Sequence, residues 1–101
     1  MKNAINWFEI PVKNFDKAKK FYETILGAKM QLMEMPGMKS AFFPADLLYG
    51  IGGCITEAKG YEPSKKGSLI YLNGGEDLSV ALKKVEKAGG KILMPKTAIG
   101  Q

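Results

Sequence analysis

With 101 residues, 46% hydrophobic and 25% charged, the chain suits one domain that buries roughly 65% of its unfolded surface, and it is too short for a second core. No apolar run approaches the roughly 18 residues of a membrane span, the first residues lack a signal-peptide core, and one cysteine permits no internal disulfide; a cytoplasmic protein without a membrane partner is expected. The net charge of +5 does not point to nucleic acid, because every basic residue is lysine, and Lys17, Lys19, Lys20, Lys83, Lys84 and Lys87 mix with Asp16, Glu23 and Glu86 on the outward sides of two predicted helices.

In chain order, residues 6–12 alternate, with Phe8, Ile10 and Val12 on one face and Trp7, Glu9 and Pro11 on the other, the period of a strand covered on one side. Asn14 is placed to cap a helix whose apolar positions are Ala18, Phe21, Tyr22, Ile25 and Leu26, and Gly27 stands where a left-handed C-terminal cap belongs. Residues 29–35 predict a second strand, Pro36-Gly37 a tight turn, and residues 38–44 a third strand antiparallel to it. Residues 50–57 predict a fourth. Gly50, Gly52 and Gly53 weaken that strand unless the backbone bends or another group approaches it closely.

Residues 59–67 are polar and punctuated by Gly60, Pro63 and Gly67, and read as a linker between module one (3–58) and a partial module two (68–101) of a single domain. In the second unit, residues 68–73 predict a short apolar strand and Gly74-Gly75 a turn. Asp77 then caps a helix carrying Leu78, Ala81, Leu82, Val85 and Ala88, Gly89-Gly90 stops it, and residues 91–96 begin another strand. A shift of 62 residues lays Phe8 on Ile70, Ile10 on Leu72 and Gly27 on Gly89, the signature of an internal duplication. Two strands and their connections, roughly 20 residues, are missing from the second copy. Either the natural chain continues past Gln101 or the open edge is covered by a partner.

The order of elements, together with Phe15-Asp16-Lys17-Ala18, Phe21-Tyr22 and Ile25-Leu26-Gly27, is similar to the vicinal oxygen chelate superfamily of glyoxalases, bleomycin-resistance proteins and extradiol dioxygenases. Residues 50–53, 60–64, 71–73, 88–91 and 94–96 extend the likeness over nearly the whole chain. The resemblance implies an α+β fold of paired βαβββ modules, here with the second incomplete, curved around a cavity and frequently forming a homodimer. It also implies metal ligands, His or Glu, on the first and fourth strands of each module. Here those first-strand positions hold Trp7 and Leu69, no histidine exists anywhere, and the fourth strand is glycine-rich. Divalent ions commonly need about three protein ligands, so no metal and no other cofactor is expected.

Three residues remain as candidates for contact with a small-molecule ligand. Trp7 offers a flat apolar surface, Glu9 shares its face, and Tyr71 matches Glu9 across the repeat, so the two are candidates to meet across the cavity. Glu9 suits ligand hydrogen bonding, proton transfer or an ion pair with a lysine. Cys54 has no histidine to activate it and reads as a small buried residue. Met30, Met33, Met35 and Met38 read as core and hairpin packing or as an adaptable lining. The expected function is metal-independent binding of a small apolar or aromatic molecule in the cavity between modules. The alternatives are a glyoxalase-type lyase or isomerase using Glu9 or residues beyond Gln101, and a degenerate module that survives for oligomerisation.

Overall fold

The computed structural model describes residues 3–45, 50–64, 66–75 and 77–93. Strand β1 (Trp7–Pro11) leads into helix α1 (Phe15–Leu26), followed by β2 (Gln31–Met35), β3 (Met38–Phe42), β4 (Gly52–Ala58) and helix α2 (Leu78–Val85). The strands form one sheet in the order β1-β4-β3-β2, with β1 parallel to β4 and the other pairs antiparallel. This is an α+β fold whose first unit is a complete βαβββ module. No helix among the described residues is long and apolar enough to cross a membrane.

Helix α1 begins where Asn14 accepts the Lys17 N–H at 3.2 Å, and it ends at Gly27, whose φ of 66° and N–H bond to the Glu23 carbonyl make the expected left-handed cap. A second tie comes from the sheet, since Glu57 on β4 accepts the Phe15 N–H at 2.8 Å and so satisfies a donor the first helical turn leaves open. One stripe of α1, carrying Phe15, Ala18, Tyr22 and Leu26, packs on the sheet with Phe8, Ile10 and Val12 of the first strand region. Met30, Ala41, Phe43 and Ile55 complete the core, and Tyr22 and Phe8 each set a ring against Phe43, at centroid distances of 5.2 and 5.5 Å. Met30 is therefore core. Met33 and Met35, on edge strand β2, are exposed.

The second unit departs from expectation. Residues 68–73 form no strand, and among the described residues no backbone group bonds to theirs; Leu69 and Tyr71 stand exposed, and only Leu72 of this stretch packs against the core. Asp77 does cap α2, accepting the Ser79 N–H at 3.0 Å, but the helix closes at Val85 and Ala88 lies in the turn beyond it. Gly89 adopts a φ of 96°, the same left-handed sense as Gly27. Residues 91–93 form no strand, and the rest of the strand expected there lies outside the described residues.

Candidate functional site

The alternation of β1 puts Trp7 and Glu9 on the sheet face turned away from α1. Strand register brings Cys54 beside Glu9 from β4, and Phe42 beside Cys54 from β3. Gly52 lies in register with Trp7 and puts no side chain between the indole and Phe42, so the two rings meet edge to face at 5.8 Å and 66°. The Trp7 indole N–H donates to one Glu9 oxygen at 3.2 Å, and the Tyr61 hydroxyl donates to the other at 3.3 Å. No lysine among the described residues comes within ion-pair distance of Glu9. The nearby carboxylate and its hydrogen bond raise the Tyr61 pKa, holding the phenol as a donor.

Below this group runs a short polar row. Cys54 and Ser40 each share a hydrogen bond with the Thr56 hydroxyl, at 3.3 and 3.1 Å, and all three are buried. Burial pushes the Cys54 thiol pKa up, with a smaller contribution from Glu9, and at 2% exposure the sulfur is shielded as well as protonated. That is a packing role, as its isolation from any histidine suggests.

Trp7 also lines a cavity of about 310 Å³ with Lys29, Gln31, Phe42, Phe43, Pro44 and Ala45. A larger one, about 730 Å³, lies on the α1 side between Phe8, Leu26 and Phe43 and residues 69–75. Tyr71 lines this second cavity and is 85% exposed. The structure thus brings Trp7 and Glu9 together and sets Tyr71 elsewhere, on a cavity that neither of them lines. The phenol that reaches Glu9 is Tyr61, from the segment read as linker. Its signal in the sequence is a lone aromatic between Gly60 and Glu62, in an otherwise polar stretch. Lys29, Gln31 and Phe42 were equally hidden, because only the hairpin register collects them.

A family profile described as the Glyoxalase/Bleomycin resistance protein/Dioxygenase superfamily matches residues 4–100. The chain belongs to that superfamily. No curated protein and no solved structure matches it. The superfamily's metal site does not fit the residues found here. On the sheet face that carries Trp7, the described residues supply Glu9, whose oxygens already accept from Trp7 and Tyr61, a protonated Cys54 and two hydroxyls paired with each other. Among the described residues no three acidic or thiol groups converge.

Proposed function

We propose that the protein binds a small apolar or aromatic molecule without a metal, acting in the cytoplasm as a homodimer, with Trp7 as the principal contact surface. The observation that carries this reading is the environment of the indole. It is 41% exposed, lines a cavity of about 310 Å³, and is fixed at its N–H by Glu9 and at its edge by Phe42. An exposed, immobilised aromatic ring loses little entropy on binding and offers a large flat contact. Glu9, held by two donors, fixes the ring and presents its outer lone pairs to the same face.

Trp7 is the only tryptophan, so its emission reports directly on the site. Titration with a panel of apolar and aromatic small molecules is expected to shift or quench that emission saturably. Absence of any response across the panel removes Trp7 as a ligand surface. Tyr71 enters the proposal through the larger cavity alone, so Tyr71→Ala is expected to leave the Trp7 titration unchanged, whereas Glu9→Ala, which frees the indole, weakens it several-fold (about 1 kcal/mol for a lost hydrogen bond).

A further inference from the structure

We propose that the ligand of the Trp7 cavity is an acid, an aromatic or small apolar body carrying a carboxylate that Lys29 receives; this rests on the reading of Trp7 as a ligand surface and adds the charge of what binds there. The walls and the rim of the cavity differ in chemistry. Trp7 and Phe42 supply two rings set edge to face. Gln31 lies in register with Phe42, on the same sheet face, and Lys29 precedes Gln31 by two residues, so the extended chain directs both toward that face. An ammonium and an amide, donors both, stand beside the rings. No acidic residue among the described ones lines the cavity; Glu9 is engaged with the indole N–H and is not part of the lining.

The backbone carrying Lys29 is also anchored. Glu23 accepts the Met30 N–H with its carboxylate at 2.8 Å, and its carbonyl accepts the N–H groups of Gly27 and Ala28 at 3.0 and 3.3 Å. The stem of Lys29 therefore leaves from a fixed point at the rim, and its exposed head, whose charge bears on Glu23, makes no ion pair with it. A flat apolar body filling the space beside Trp7 sets an attached carboxylate toward Lys29 and Gln31, where it gains a charge-assisted hydrogen bond and a neutral one. An ammonium in the same place meets a like charge. The net charge of +5 adds a long-range attraction for anions and none for cations.

The test uses three molecules of one shape, phenylacetate, phenylacetamide and phenethylamine, titrated against the full chain while Trp7 emission is followed. Phenylacetate is expected to bind about threefold or more tightly than the amide, the scale of an exposed ion pair, and the advantage shrinks as salt is raised. Lys29→Met should erase the advantage by weakening the acid several-fold more than the amide, and Lys29→Arg should restore it; circular dichroism checks that each variant is folded. Equal binding of acid and amide, tightest binding of the amine, or a Lys29→Met effect of the same size on acid and amide overturns the inference and leaves the Trp7 reading standing. Silence of all three overturns both.

Discussion

Gly52 and Gly53 are adjacent in β4 and serve opposite faces of the sheet. Gly52 leaves the indole of Trp7 room to reach Phe42, and on the other face a Cβ built on Gly53 would meet the ring of Phe8 at 2.4 Å. The close approach that the glycine-rich strand demanded is thus supplied by aromatic rings, one above and one below. Gly53→Ala is expected to cost about 1–3 kcal/mol by overpacking, read as a lower denaturation midpoint. The cost should fall in a Phe8→Leu background, where the ring is gone. Trp7 and Glu9 were legible as neighbours because the side-chain period of a strand is local. Tyr61 was not, since its reach to Glu9 depends on a turn in which its N–H bonds the Ala58 carbonyl. Residue type alone carries no trace of that turn.

Helix α1 was readable to its caps because the signals lie within a few residues of the helix ends: Asn14 before it and Gly27 after it. What ties it to the sheet was not readable, for Glu57 and Phe15 are far apart in the chain. Glu23 makes the other tie. Hydrogen bonds from the Met30 N–H and then from Lys19 hold its carboxyl below the usual glutamate range. A depressed folded pKa means that the unfolded chain binds the extra proton first. The stabilisation is therefore complete above the ordinary glutamate pKa, about 4.3, and is lost as pH falls from there through the folded value. Denaturation midpoints measured down that pH range should fall less steeply for Glu23→Gln than for the unaltered chain. Glu23→Ala, which strips the Met30 N–H of its partner, should cost about 1–2 kcal/mol at neutral pH. Residues 68–73 show the limit of such reading. Their short apolar run is that of a strand, but a strand needs a neighbour, and whether one is present is not written in the stretch itself.

Leu69, Leu78, Val80 and Leu93 stand exposed in the second unit, and Trp7, Leu32, Met33 and Met35 in the first. A standard interface covers about 800 Å² per partner, and these side chains are the apolar surface a second copy would cover. Light scattering over a range of concentrations should show reversible association into dimers, and Leu69→Glu is expected to weaken it. A strictly monomeric protein at high concentration would count against the homodimer. Superfamily membership was legible over almost the whole length, through the helix that ends in Leu26-Gly27 and the elements around it. How the second unit meets the first was not, because that geometry rests on contacts between distant segments.

The Glu23 carboxylate has a consequence for what happens along the border of the sheet. Phe43 bonds the Gly53 carbonyl, so alternate residues of β3 turn toward β4, and on β2 the main-chain groups of Leu32 and Glu34 point outward into water. Met30 would have added its N–H to that row, but Glu23 has taken it. The row left open is that of two residues and carries a negative charge at Glu34, too brief a template for one molecule to be stitched onto the next in an unending ribbon. The glutamate that steadies the approach to Lys29 thereby also shortens the open edge beside the exposed methionines of β2.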